Sequence, residues 1–448
     1  MKTSNPNILF ILADDLGWGD VEYHGSDIRT PNIDYLVNVG IELDNHYVQP
    51  MCTPTRTALL SGRYPSRFGD HATIPSNHPV FPDGYETLST LLGKAGYDTG
   101  LFGKWHLGSS PKYGPNTFGF DWSYGSLAGG VDPYSHYYKS GIYSKTWHRN
   151  GSFISEQGHV TDLILEEATG WIESRERPWF AYIPFTAVHV PVKVPDNWLA
   201  KYDNQKFDCE VEKDRSFKQY AAYASHMDHA IGRLIRLLKE NNQFENTIIV
   251  FASDNGALES QSLEKAQLYP GVQEASLRLG SNLPLRGQKG QLYEGGIRTP
   301  ASITWHNTFK PRKLEKPLHI ADWMPTFSEI VGQEPDIDPE WDGLNICSLL
   351  AGDDHNFTAT DRKIYWMFRG NEIAMRIGKW KLITKKIAGS YKSIELYDIE
   401  SDPFESFDLS DSHQGVAERL LRVIENEQVM DGSAMRFDAG DAMPVQSV

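Results

Sequence analysis

The sequence predicts an α/β fold, a large sheet flanked by helices on both faces, with a smaller antiparallel-sheet subdomain at the C-terminus. Three observations predict it. Short apolar runs of strand length alternate with segments of helical period over most of the chain, the pattern of a helix-covered sheet. After about Gly352 the texture changes to alternating strand-like runs linked by turns, as in a small meander. Finally, 448 residues with 40% hydrophobic and 23% charged content suffice for a sizeable core and lie near the globular norm.

Taken in chain order, the first strand is expected at 8–12, an unbroken apolar run. In TPTRTALL, Thr53 suits an N-cap and Pro54 a first helical position, so a helix is expected up to Ser61 and Gly62. Leu88, Leu91, Leu92 and Ala95 keep helical spacing before a strand at 98–102. Strands are next expected at 179–183 and 247–251, separated by a helix carrying Met227, Ile231, Leu234, Ile235 and Leu238. A strand at Ala301–Trp305 precedes a helix carrying Ile320, Trp323, Met324 and Phe327. The runs KIYWMFRG, EIAMRIGKWKLITKK and IELYDIESD and a helix near 415–426 complete the chain. Two long irregular stretches, 108–158 and 257–287, are of the length expected of lids or binding walls. The division predicted is 1–353 for the larger domain and 354–448 for the C-terminal subdomain.

The net charge of −16 argues against nucleic acid or an anionic membrane as partner, since phosphate binding needs a basic surface. No apolar run is long enough to span a bilayer. Cys52, Cys209 and Cys347 are odd in number and far apart, forming neither a disulfide framework nor a zinc pattern. Cys209 and Cys347 read as buried thiols. The start MKTSNPNILFILADD lacks a signal-peptide pattern, so the expectation is the cytoplasm, or the periplasm or exterior if a leader was removed.

Ligands in open α/β sheets bind beyond the carboxyl ends of strands. There the sequence places Asp14 and Asp15, then Asp254 and Asn255. Four hard oxygen donors without Cys or His suit calcium or magnesium better than zinc, although each motif alone is ordinary turn chemistry. Lys104 and His106 come after another strand, two apart so that an extended segment points both the same way. His189 comes after a third strand, and Lys289 lies among glycines before a fourth. Together they form a cationic ring facing a divalent ion, as an anionic tetrahedral substrate needs. Cys52 lies at a helix start, where free N–H groups favour an anion. A catalytic thiolate and a structural thiol both remain open on the residues alone.

These motifs resemble those of a known family. Cys52-Thr53-Pro54-Thr55-Arg56 is similar to the Cys/Ser-x-Pro-x-Arg signature of type I sulfatases, and PNILFILADDLGWGD, GKWHLG, SDNG, GQKGQLYEGGIRTP and LYDIESDPFESFDLS occur in that family's order. The resemblance covers about residues 5–410. It implies an alkaline-phosphatase-like fold and conversion of Cys52 by a maturation enzyme to Cα-formylglycine. It also implies calcium held by Asp14, Asp15, Asp254 and Asn255 with residue 52 beside the ion. By the same resemblance Arg56 holds the hydrated aldehyde, Lys104 and Lys289 the sulfate oxygens, His106 a formylglycine hydroxyl, and His189 protonates the leaving alcohol.

Within the family, DIRTPNIDYL, LDNHYVQPMCTPTR, LSGRYPSRFG and NLPLRGQKGQLYEGGIRTP are similar to the arylsulfatase B (N-acetylgalactosamine 4-sulfatase) branch and its bacterial polysaccharide-degrading relatives. The implied substrate is a sulfated oligosaccharide, chondroitin or dermatan 4-sulfate first and carrageenan-type galactans second. Tyr124, Tyr134, Tyr137, Tyr138 and Trp147 offer stacking surfaces for sugars or packing for the loop, with His71 and His136 as weaker sugar contacts. Two other classes stay open: a phosphonate or phosphodiester hydrolase on the same fold, and a non-catalytic glycan binder with an unmodified cysteine.

Overall fold

The structure is a computed structural model describing residues 5–207, 211–260, 268, 269, 279–336, 340–353 and 362–432. Its strands are β1 (Asn7–Ala13), β2 (Ile41–Leu43), β3 (His46–Tyr47), β4 (Asp98–Lys104), β5 (Trp122–Ser126), β6 (Trp147–Arg149), β7 (Ser152–Phe153) and β8 (Trp179–Pro184). They continue with β9 (Thr247–Ser253), β10 (Ala301–Trp305), β11 (Arg312–Leu314), β12 (Leu318–His319), β13 (Lys363–Phe368), β14 (Glu372–Ile377), β15 (Trp380–Ile387) and β16 (Ser390–Asp398). Ten of them form one mixed sheet in the order β11-β2-β10-β9-β1-β8-β4-β5-β6-β7.

All seven residues of β1 are buried, and they divide between two cores. Leu9, Ile11 and Ala13 pack on one face with the helices Val160–Glu173 and Val211–Glu240. Ile8, Phe10 and Leu12 pack on the other with the helices Cys52–Ser61, Leu88–Lys94 and Trp323–Val331. Burial on both faces explains why this strand reads as a continuous apolar run rather than an alternation. The large sheet between helices is the architecture expected from the sequence.

β1 runs parallel to β8 and β9, and β4 parallel to β8. Their carboxyl ends therefore share one edge. Ala13 is in register with Ser253, so Asp14 and Asp254 emerge side by side. β10 runs antiparallel to β9, with Ala301 opposite Ala252, and the segment before Ala301 returns to the same edge.

The five expected strands of the large sheet are all present. Several run further toward the site, and Lys104 is the last residue of β4 rather than lying beyond its end. The stretch 108–158 is not wholly irregular, for it contains β5, β6 and β7, which extend the sheet. The helices Pro31–Val39 and Val160–Glu173 were not anticipated.

β13 to β16 form a four-stranded antiparallel meander. The helix Gln414–Val429 places Ala417, Leu420 and Ile424 against one face, with Tyr365, Ile373, Met375 and Leu382. The other face, through Ile364, Trp366, Phe368 and Ala374, packs on Tyr47, Leu292 and Ile297. The small sheet thus supports the segment that leads into β10. Cys209 and the expected boundary at 353/354, as far as 361, lie outside the described residues, as does most of 257–287. Cys347 is half-buried, because it opens a single turn of helix rather than lying in the core.

Candidate active site

The helix Cys52–Ser61 is buried along its whole length, with its start at the carboxyl edge of the sheet. It begins two residues earlier than the sequence suggests, with Met51 as the cap and Cys52 already helical. Thr53 does not cap it, because its hydroxyl donates to the carbonyl of His106 at 3.1 Å. The Thr55 hydroxyl donates to the Asp254 carbonyl at 2.5 Å. The helix start is thereby tied to the segments after β4 and β9.

Cys52 is 2% exposed. Its sulfur and carboxylate oxygens of Asp14 and Asp254 lie within 4.8 Å of one another. Oxygens of Asp14 and Asp15 and a nitrogen of His189 form a second such group. Burial pushes the Cys52 thiol up, with Lys104 and Lys289 pulling against it. That opposes the reading of an unmodified catalytic thiolate, whose pKa should be depressed.

The cations interleave with the carboxylates. Lys104 donates to Asp14 Oδ2 at 2.7 Å. Lys289 donates to both oxygens of Asp15, at 2.6 and 2.7 Å. Arg56 donates to Asp254 Oδ2 at 2.8 Å and to the Lys104 carbonyl at 2.6 Å. Burial pushes Asp14 up to about 7 despite Lys104, with Asp254 and Asp15 adding to the effect. Burial also acts on Asp15, but Lys289, His189 and Lys104 outweigh it and hold its carboxyl well below the usual range.

Asn255 donates to Asp15 Oδ1 at 2.8 Å and to the Gly256 carbonyl at 2.9 Å. Its Oδ1 is buried without a partner, as is Oδ1 of Asp14. Stranded buried acceptors are costly. Two of them beside the carboxylates of Asp15 and Asp254 fit a hard cation that takes oxygen ligands.

His189 donates from Nδ1 to the Val190 carbonyl at 2.6 Å. That leaves Nε2 on the site side, 3.9 Å from Asp15 Oδ2. The Val188 N–H donates to the Asp14 carbonyl at 2.7 Å, which fixes this loop against the end of β1. His106 is not in an extended segment, for its φ is 60°. Trp105 and His106 instead donate backbone N–H groups to Ser126 and Leu127, and the turn aims the imidazole. Its Nδ1 is buried without a partner. Burial and the nearby cations hold both histidines well below their ordinary pKa.

The ten residues expected from the sequence to carry the chemistry or the metal gather at this edge, from β1, β4, β8 and β9, the helix start and the loop before β10. The sequence did not reveal Gly129 and Gly130. A Cβ at Gly129 would lie 2.3 Å from His106 Nε2, and one at Gly130 would lie 2.2 Å from the Tyr269 hydroxyl and 3.3 Å from His189 Cε1. Their only signal is a Gly-Gly pair in a loop.

Of the aromatics, Tyr124 and Trp147 are buried and share Glu156 as acceptor. They are packing, not sugar platforms. His136 stacks on Trp147 and bonds the Gly158 carbonyl at 2.9 Å, so it too is structural. Tyr134 and Tyr137 are exposed. His71 sits in a short turn, Asp70–Thr73, partly buried.

The sulfatase family model matches residues 6–333. Arylsulfatase J of Mus musculus is 31% identical over 475 residues, covering 94% of this chain and 75% of that protein. The N-acetylgalactosamine-6-sulfatase of Homo sapiens is 31% identical over 401 residues, covering 84% and 71%. Among solved structures, Ps i-CgsB in complex with k-i-k-neocarrahexaose is 30% identical with a TM-score of 0.82, covering 99% of this chain and 98% of that one. In the described residues no helix is long and apolar enough to cross a membrane. Members of the family generally use a formylglycine and a metal ion. The chain belongs to the sulfatase family and is a sulfuric ester hydrolase.

Proposed function

We propose that the chain removes sulfate from a sulfated galactose or N-acetylgalactosamine unit of a glycan, after a maturation enzyme has converted Cys52 to formylglycine. The observation that carries this reading is the convergence of Cys52 with Asp14 and Asp254 within 4.8 Å at a buried helix start. The near full-length similarity to a structure holding a carrageenan oligosaccharide puts galactan oligosaccharides first. The similarity to a galactosamine sulfatase puts chondroitin-type substrates beside them.

Asp14, Asp15, Asp254 and Asn255 would hold calcium beside residue 52, and the ion would supply a Lewis acid for a sulfate oxygen. A hydrated formylglycine would supply one hydroxyl as nucleophile and a second whose deprotonation lets sulfate depart. The chain's own residues do the remaining work. Asp14, Asp15 and Asp254 are matched by Lys104, Lys289 and Arg56, so a bound divalent ion leaves the site with surplus positive charge for an anionic ester. Lys104 and Lys289 bring ammonium groups to the sulfuryl oxygens, where charge builds as the S–O bond breaks. Arg56 bridges the Lys104 carbonyl and Asp254 and holds the helix start in register with both.

His189 keeps Nδ1 on the Val190 carbonyl and presents Nε2 to the site; as the imidazolium, the form that Asp15 and a bound anionic ester favour, it would pass its Nε2 proton to the departing alcohol oxygen and return to the neutral ring. The unpartnered Nδ1 of His106 accepts one from residue 52. Two measurements test the proposal. Mass spectrometry of the peptide containing residue 52 should show the aldehyde in active protein. Desulfation of defined galactan and chondroitin oligosaccharides should exceed that of small aryl sulfates, and activity confined to the aryl sulfates would sink the glycan assignment.

A further inference from the structure

Beside Gly130 and His189 stands a group to which the reaction assigns no part. Tyr269 is 2% exposed, yet its hydroxyl has no hydrogen-bond partner among the described residues. A phenol that bonds nothing in the protein keeps its hydroxyl for water or a ligand. This hydroxyl and Cε1 of His189 both crowd the position that a Cβ on Gly130 would take, at 2.2 and 3.3 Å. The phenol therefore reaches the side of the site where the leaving oxygen departs toward His189.

Behind it, Tyr138 meets the Tyr269 ring edge-on, with centroids 5.9 Å apart and planes at 88°. The Lys139 ammonium lies 5.3 Å from the Tyr138 centroid and 5.8 Å from that of Tyr269. Lys139 is half-buried and makes no ion pair among the described residues. In a chain of net charge −16, an unneutralised ammonium held on two aromatic rings beside the reaction site is a recognition element rather than a solubilising one.

We propose that Tyr269 and Lys139 form a specificity subsite for the sugar being desulfated, Tyr269 bonding the sugar beside the scissile ester and Lys139 reading a second anionic group. The inference rests on the sulfate-ester reading above and narrows its substrates to glycans with two anionic groups close together. The second anion has two chemical sources, another sulfate on a galactan or the carboxylate of a neighbouring uronic acid. Lys139 binds either through the same charge, and the substrate arms of the test separate them.

The full-length, matured, calcium-supplied enzyme is assayed on three substrates. They are 4-methylumbelliferyl sulfate, a disulfated galactan disaccharide, and a sulfated galactosamine joined to a uronic acid. Lys139→Gln should raise KM about tenfold on the substrate bearing the recognised anion, and much less on the aryl sulfate. Lys139→Arg should restore most of the loss, and added salt should erase the difference between wild type and Lys139→Gln. Tyr269→Phe should lower kcat/KM on both sugars about tenfold more than on the aryl sulfate. Equal losses on all three substrates, or no loss, would overturn the subsite while leaving sulfatase activity standing. A matured wild-type enzyme inactive on all three would overturn the functional reading and the subsite with it.

Discussion

Lys381, on β15 of the small sheet, donates at 2.9 Å to Glu294, the first residue of the turn of helix just beyond the Lys289 loop. Both side chains are fully buried. Glu405 joins them, 2.8 Å from Lys381 and accepting the Glu294 backbone N–H at 2.7 Å. The small sheet therefore holds the end of the loop that carries Lys289 to Asp15. Removing one member of a buried ionic group leaves its partners uncompensated, so Lys381→Met should cost roughly 3–5 kcal/mol. Urea denaturation checks this. Adding Glu405→Gln, which removes one charge and keeps an acceptor for the Glu294 N–H, should recover about half of the loss.

Gly129 supports the His106 imidazole at a distance no side chain tolerates. Its φ is outside the left-handed region, so Gly129→Ala adds a clash without backbone strain. The displaced imidazole should cost on the order of 100-fold in kcat, the scale of a misplacement near 1 Å, with far less effect on melting temperature. Gly170→Ala is the control. It lies in the helix Val160–Glu173 with nothing within 4 Å of a new Cβ, and should stabilise by about 0.5–1 kcal/mol with kinetics unchanged.

Much of this site was legible because its residues sit at strand ends. Asp14, Asp254 and Lys104 were found by locating apolar runs and inspecting the residues at their carboxyl ends, which works for parallel strands buried on both faces. Local conformation was less legible. His106 was expected to share an extended segment with Lys104, but the backbone turns through φ 60° to bond Leu127. Thr53 has the chemistry of a cap, yet a carbonyl 53 residues away claims its hydroxyl. Gly129, Gly130 and Tyr269 were not legible, because their meaning lies in approaches between distant segments that no spacing encodes. For Tyr124 and Trp147 the sequence left stacking and packing open, and distant contacts again decide. Their chemistry suits sugar stacking, but both rings are buried and the half-buried Glu156 takes their polar ends.

Metal dependence can be separated from turnover. In a Cys52→Ala variant treated with chelator, added calcium should raise the melting temperature, with stabilisation reaching about 2.7 kcal/mol at 100 times Kd. Magnesium should stabilise less, because it holds its water and demands stricter geometry. Asp254→Asn removes one carboxylate from the set and should abolish most of the calcium-induced shift. A chelated protein that melts at the same temperature with and without calcium would exclude the four oxygen donors as a calcium site.

Stability should fall with acid through a histidine outside the set Asp14, Asp15, Asp254 and Asn255. His159 caps the helix Val160–Glu173, its Nδ1 accepting the Thr161 N–H at 3.2 Å while Nε2 donates to the Lys193 carbonyl at 3.0 Å. Both nitrogens are thus committed to the neutral ring, and a proton on Nδ1 would break the cap and place positive charge at a helix N-terminus. Burial, with His226 and His136 adding to it against Lys193 and Asp162, lowers its pKa from the ordinary 6.5 to about 4. Between those values the unfolded chain binds a proton that the folded chain does not. The stabilisation is present above pH 6.5 and is lost as pH falls toward 4, by about 2–3 kcal/mol from this residue. Asparagine caps a helix without titrating. His159→Asn should therefore be slightly less stable than wild type at pH 8, where the Lys193 bond is lost, and more stable at pH 5. Urea midpoints at the two pH values decide it, and curves that stay parallel would show that this ring does not carry the acid sensitivity.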